Sequence, residues 1–234
     1  MRKAGAMLDK ILHLIYPCVC SGCHALLADG EHEICNKCVT SFDRFTDADA
    51  ADFAVKEVFR HTCPEMEWPQ KAWALYRFHK NDRLQTVIHA MKYGGEHRLG
   101  NMLGKLLGGM ICGSPSAERI DCIVPVPLHK LKEIERTYNQ SEIIASSLAA
   151  ALCKDVRCDL VVRKKYTRSQ AGLSPRERQG NVKDAFRASG TSVPENILLV
   201  DDVLTTGSTA VAVMQALKSA GAVNVSFATI ALAA

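Results

Sequence analysis

The chain has 234 residues, 47% of them hydrophobic, enough to bury one full core and carry a small accessory module. Lys and Arg number 29 against 25 Asp and Glu, a formal charge of +4 that is too small to imply nucleic-acid binding unless the basic residues cluster. The N-terminal stretch MRKAGAMLDKILHLIYP starts basic, but Asp9, Lys10 and His13 break its apolar run. It therefore reads as neither a signal peptide nor a membrane span, and a cytoplasmic location is expected.

Five of the ten cysteines fall between residues 18 and 38, and the rest are scattered singly. That asymmetry points to metal binding rather than to a disulfide framework. Cys20-x2-Cys23 and Cys35-x2-Cys38 are two knuckles, each able to present a pair of thiolates from a tight turn. Together they predict one closed, structural Zn²⁺ site with four soft ligands and no position for a reacting water. Cys18 is surplus, and His24 and His32 read as ordinary loop histidines. The acidic stretch TDADAAD predicts a connection leaving this module, which sets the expected organisation at residues 1–45 for the zinc module with a leading helix, 46–72 for a linker and 73–234 for the main domain. Cys63 is expected to serve packing.

In the main domain, Leu84, Val87, Ile88 and Met91 recur at helical spacing before KYGG, so a helix should end at Gly94. Leu99, Leu103, Leu106, Leu107 and Met110 predict a second core helix. IDCIVPVP at 120–127 reads as a strand stopped by its prolines. In NQSEIIASSLAAAL, Asn139 followed by Glu142 predicts a capped helix start. DLVV at 159–162, the fully apolar ILLV at 197–200 and VNVSFATIAL predict further strands, with a helix from about Ser208 to Ala220 between the last two. Strands alternating with helices predict a parallel sheet covered on both faces.

The stretch ILLVDDVLTTGST carries the most chemistry. In an open α/β sheet a ligand sits at the carboxyl ends of the strands, where ILLV is expected to hand over to Asp201 and Asp202. After them Thr205, Thr206, Gly207, Ser208 and Thr209 offer hydroxyls, close backbone approach and the amides of a helix start, a cradle for phosphate. No GxxxxGK occurs anywhere, which disfavours an NTPase. Two adjacent acids beside a phosphate cradle suit a polyol, accepting from vicinal hydroxyls and helping to hold Mg²⁺. Residues 163–187 hold eight Lys or Arg and two acids, the one true basic cluster of the chain. With Gly172, Ser174, Pro175 and Gly180 it reads as a mobile loop suited to closing over an anion.

VDDVLTTGST resembles the signature of type I phosphoribosyltransferases, which bind phosphoribosyl pyrophosphate (PRPP). The resemblance implies an α/β fold with a parallel-sheet core and a flexible hood, here joined to a small N-terminal four-cysteine zinc finger. It also implies that Asp201 and Asp202 contact the ribose hydroxyls as the catalytic acids, and that residues 205–209 hold the 5-phosphate. VPVPLHK resembles the pyrophosphate loop, which makes Val126, Pro127, Lys130, Arg163 and Arg168 candidates for pyrophosphate, with His129 at the edge. The order of zinc knuckles, LYRFHKNDRLQTVIHAMKYGGEHRLG, IVPVPLHK, RTYNQSEIIA, the basic loop and the PRPP motif is similar to the ComF family along nearly the whole chain. Arg136, Asn139 and Gln140 match its RGYNQ block, with Thr137 where glycine is usual, and Gln170, Arg178 and Asn181 match its TxxQ and RxxN elements.

That resemblance implies a role in bacterial DNA uptake, with PRPP or a related ribose 5-phosphate and Mg²⁺ as ligands. Two classes of function follow. One is a PRPP-dependent transferase, acting in DNA uptake or in sugar or nucleotide metabolism. The other is a catalytically silent fold that binds nucleotide or single-stranded DNA beside uptake machinery such as a competence helicase. For the second, Arg163, Lys164, Arg176 and Arg178 are the candidate nucleic-acid contacts, since cationic grooves track phosphates.

Overall fold

The computed structural model describes residues 17–65, 69–128, 130–163, 185–189 and 192–233. Arg168 and the rest of the basic segment 164–184, together with His129, lie outside the described residues, as do the side chains of Lys130, Leu131 and Glu133. In chain order the helices are α1 (Asn36–Ser41), α2 (Ala48–Thr62), α3 (Arg83–Tyr93), α4 (His97–Ile111), α5 (Pro115–Glu118), α6 (Lys130–Arg136), α7 (Gln140–Leu152) and α8 (Ser208–Ser219). The strands are β1 (Ala72–Phe78), β2 (Cys122–Pro125), β3 (Asp155–Val156), β4 (Val161–Arg163), β5 (Phe186–Ala188), β6 (Asn196–Leu204) and β7 (Asn224–Ala233). No helix among the described residues is long and apolar enough to cross a membrane.

Five strands form one parallel sheet in the order β1-β7-β6-β2-β3. From β2 the chain moves outward to β3, and from β6 it moves the opposite way to β7. The switch point therefore lies between β6 and β2, and the crevice at their carboxyl ends is where such a sheet binds ligands. One face carries the four-cysteine module with α3, α4 and α7, and the other carries α2 and α8. ILLV is buried on both faces, which is why every one of its residues is apolar.

Helix ends follow local chemistry. Asp82 Oδ1 accepts from the Gln85 amide at 2.8 Å to start α3, which stops at Gly94 as its sequence predicts. Asn139 Oδ1 accepts from the Ser141 amide at 3.1 Å while its Nδ2 donates to Glu142 Oε1 at 3.3 Å, a reciprocal cap for α7. Gly104 lets α4 lie directly on α7, because a Cβ there would stand 2.6 Å from the Ile144 carbonyl oxygen.

Three expectations are corrected. Residues 46–72 are not a free linker: Asp47 accepts from the Asp49 amide at 2.9 Å and caps the 15-residue helix α2. Val55 and Phe59 of that helix are buried, Phe59 edge-on against Phe227 at 5.3 Å. The acidic start reads as a connection, but acids belong in a first helical turn, and the apolar residues behind them repeat at i, i+4. Nor does DLVV join the parallel sheet. β4 begins at Val161 and pairs antiparallel with β5 as a separate ribbon, while the two-residue β3 takes the sheet edge beside β2. β6, finally, does not end at Val200. It stays paired to β7 through Leu204, so Asp201 and Asp202 stand on the strand itself.

The four-cysteine module also shares the main core, with Cys20, Ile34, Cys35 and Cys38 buried in one cluster with Trp73, Leu75 and Val87. Cys63 packs at the edge of the opposite cluster. Thr137 has φ +67° and so occupies the left-handed region that glycine favours. Thr137→Gly is expected to raise stability by about 1 kcal/mol, read from urea unfolding midpoints, because a β-branched residue there costs about 1–2 kcal/mol. An unchanged or lower midpoint would mean that the turn holds threonine without strain.

Candidate functional site

The four predicted thiols come together. Cys20, Cys23, Cys35 and Cys38 have all their Sγ atoms within 4.8 Å of one another, with Cys20–Cys38 at 3.6 Å and Cys23–Cys35 at 3.8 Å. Zn–S bonds of about 2.3 Å in a tetrahedron require sulfur separations of about 3.8 Å, so the cluster fits a zinc ion. Burial pushes the Cys20 thiol up, but amides of Cys35, Gly22 and Cys23 donate to its sulfur and lower it overall to about 6. Burial and the three facing thiols raise Cys38, and a bound divalent metal reverses that by taking the thiolate directly. Arg83 Nη1 approaches Cys38 Sγ at 3.8 Å from outside. Cys18 is exposed and lies outside the cluster, as do His24 and His32.

The acid pair stands in the crevice at the switch point. Asp201 Oδ1 accepts from Ser141 Oγ at 3.0 Å and from the Asp202 amide at 2.9 Å. Asp202 Oδ2 pairs with Lys92 Nζ at 2.9 Å, with side chains 12% and 20% exposed. Asn139 Nδ2 donates to the Val126 carbonyl at 3.1 Å, tying the start of α7 to the end of β2. Asn139, Gln140 and Ser141 are all buried. Past Gln140 the polar wall continues through Arg136, which donates to Gln140 Oε1 at 3.1 Å and to the Tyr93 hydroxyl at 3.2 Å, with its guanidinium 5.0 Å from the Tyr93 ring centre.

Residues Thr205 to Ala210 wrap a concavity of about 50 Å³ that also touches Asp201. Gly207 is the cap of α8 at φ +75°, and a Cβ there would lie 3.0 Å from Phe59 Cδ1. Thr206 and Ser208 hydroxyls sit 3.1 Å apart at the rim. Thr62, at the end of α2, donates to the Thr206 carbonyl, so the helix that replaces the expected linker props this loop from below. Val126 and Pro127 follow β2 at the neighbouring strand end, and Lys130 opens α6.

Arg163 is the last residue of β4, in the β4–β5 ribbon rather than the parallel sheet. Its guanidinium lies 5.2 Å from the Phe186 ring centre, and burial holds its pKa below the usual arginine range. The ribbon packs against α8 and joins the two ends of the basic segment. Lys164, Arg168, Arg176 and Arg178 fall within that segment, outside the described residues. Sequence reasoning missed Lys92 and Ser141. Local spacing marks neither, although Ser141 belongs to a polar NQS triplet at the head of an otherwise apolar helix.

Burial, and then the neighbouring Asp202 charge, push Asp201 up to about 7. A carboxyl raised from 3.8 in the unfolded chain gives stability that is fully present below about pH 4 and is lost as pH rises through about 7. Asp201→Asn mimics the protonated form. The ligand-free variant should therefore gain little over the unsubstituted protein at pH 4 and on the order of 3–4 kcal/mol at pH 8, measured by urea unfolding. The same gain at both pH values would show that Asp201 ionises normally.

Comparison with known proteins agrees with this layout. Residues 139–234 match the phosphoribosyl transferase domain family, starting at the Asn139 cap. The chain is 30% identical over 149 residues to competence protein F of Haemophilus influenzae, covering 61% of this chain and 65% of the relative. It is 32% identical over 145 residues to DNA utilization protein YhgH of Escherichia coli, covering 61% and 64%. Both matches span less than two thirds of the relative. Competence protein ComFC of Streptococcus pneumoniae is 22% identical over 204 residues, covering 86% and 88%. An adenine phosphoribosyltransferase structure from Leishmania tarentolae aligns at TM-score 0.38 and 13% identity over 61% of this chain and 74% of that one. The chain is thus a parallel-sheet α/β protein whose residues 139–234 match a phosphoribosyl transferase domain, with a four-cysteine module built into its core. Within that frame, the chain is similar to competence and DNA utilization proteins over 61% of its length.

Proposed function

We propose that the chain binds PRPP, or a related ribose 5-phosphate, with Mg²⁺ in the β6–β2 crevice, and that it serves bacterial DNA uptake, the role that the names of its competence relatives express. The observation that carries the reading is the single path from Asp201 and Asp202 through the Gly207 turn to the first amides of α8 at the switch point. On this path the two carboxylates accept from the ribose hydroxyls. The amides and hydroxyls of residues 205–209 take the 5-phosphate, and Val126, Pro127 and Lys130 are assigned to the pyrophosphate. Mg²⁺, when bound, supplies charge neutralisation to the pyrophosphate. Arg163, Arg168 and the rest of the basic segment are assigned to closing the crevice and excluding water, which phosphoribosyl transfer needs because its transition state is oxocarbenium-like.

No nucleophile is required in this scheme, so binding does not depend on turnover. Calorimetry of ribose 5-phosphate against the unsubstituted protein and Thr206→Val tests the phosphate assignment. The variant removes one hydroxyl at similar volume and should bind about tenfold more weakly. Equal affinity would remove residues 205–209 from the phosphate site. Pyrophosphate release from PRPP across a panel of nucleobase and amine acceptors then separates a transferase from a binding protein.

A further inference from the structure

Helix α3 touches both chemical centres of the chain. At its first residue Arg83 donates to Cys38 Sγ, and one turn later Val87 is fully buried against the first cysteine knuckle. A Cβ on Gly22 of that knuckle would stand 3.1 Å from Cys38 Sγ and 3.4 Å from Val87 Cγ2. At the far end of the same helix Lys92 holds Asp202 at 2.9 Å. Eleven residues at 1.5 Å each make the helix about 16 Å long. Leu84, Val87, Ile88 and Met91 bury its whole inner face in the cluster that contains Cys20, Cys35 and Cys38. A helix packed in this way moves as one body.

We propose that α3 couples the four-cysteine metal site to the ribose-phosphate site, with Lys92 as the positioning residue that holds Asp202 in its ligand-accepting orientation. The inference rests on the reading of Asp201 and Asp202 as the ribose-binding pair. A metal held by the four sulfurs would fix the knuckles against which Arg83 and Val87 anchor the first turns of α3. Without the metal the four sulfurs are no longer held together and the knuckle no longer braces Val87. A displacement of α3 carried to Lys92 weakens the 2.9 Å ion pair and leaves a mostly buried carboxylate less well matched by its countercharge. Coupling between two binding sites is reciprocal, so ribose phosphate must tighten zinc by the factor by which zinc tightens ribose phosphate.

The test measures zinc affinity of the full folded chain by competition with a chromophoric chelator, with and without Mg²⁺ and ribose 5-phosphate at concentrations shown by calorimetry to saturate each protein. The unsubstituted protein should hold zinc about fivefold or more tightly when the sugar phosphate is present. Lys92→Met and Arg83→Met should each bind zinc in the absence of sugar phosphate, yet lose most of that enhancement. Arg83 lies away from the ligand, so its variant remains informative if Lys92→Met binds sugar phosphate too weakly to saturate. Calorimetric binding of ribose 5-phosphate with no change in zinc affinity would overturn the coupling and leave the ribose-phosphate reading standing. An undiminished enhancement in both variants would overturn the role of α3. Absence of any calorimetric binding by ribose 5-phosphate or PRPP would overturn the ribose-phosphate reading itself, and the coupling with it.

Discussion

Cys35→Ser is expected to abolish stoichiometric zinc retention and to destabilise the whole chain, not only its N-terminal module. Serine cannot supply the fourth soft ligand, and structural zinc sites contribute about 10–16 kcal/mol of apparent binding free energy that is drawn on for folding. Because Cys20, Cys35 and Cys38 sit in the cluster that holds α3, α4 and α7 against the sheet, loss of the metal loosens the main core. Metal analysis together with thermal unfolding checks this. The expected result is zinc well below one equivalent and a single transition at clearly lower temperature, while Cys18→Ser, at an exposed position, matches the unsubstituted protein. Full zinc content in Cys35→Ser would mean that the ligand set is wrong. A main transition unaffected by zinc loss would mean that the module folds independently.

Gly207→Val should produce the second largest effect. Its φ of +75° places any side chain in the left-handed region, and the added Cβ would meet the Phe59 ring at 3.0 Å. Backbone strain of about 1–2 kcal/mol and overpacking of about 1–3 kcal/mol act together, so a loss of about 3 kcal/mol is expected in urea unfolding. The turn must also move away from Phe59, which displaces the first amides of α8. Ribose 5-phosphate affinity should then fall by more than the tenfold expected for Thr206→Val. Unchanged stability would show that the turn can adopt another geometry at no cost.

The parts of this account that were legible in the sequence are those fixed by short-range spacing. The two CxxC knuckles, the Asn139 cap, the stop at Gly94 and the strand-turn-helix from ILLV to α8 each follow from residues within a few positions of one another. What was not legible depends on contacts between distant segments. Lys92 and Asp202 are joined by the packing of α3 on the sheet, and Ser141 meets Asp201 across 60 positions of chain. Helix α2 was hidden because its acidic first turn looks like a solvated connection, while its role appears only when Phe59 reaches Phe227 and Thr62 reaches Thr206. DLVV misled for a related reason: an apolar run of three residues says nothing about which strand edge will accept it, and β5 took it rather than the sheet.

The central claim is that the acid pair on β6 binds a phosphorylated ribose. Calorimetric titration of PRPP with Mg²⁺ at pH 8, where Asp201 is ionised, into the zinc-loaded protein and its Asp201→Asn/Asp202→Asn variant tests it most directly. Both substitutions keep side-chain shape, so the variant should remain folded by circular dichroism. Each charge-assisted hydrogen bond to a ribose hydroxyl is worth about 1.5–3 kcal/mol, so the account predicts clear binding by the unsubstituted protein and at least a hundredfold weaker binding by the variant. A folded double variant that binds PRPP as tightly as the unsubstituted protein would contradict it.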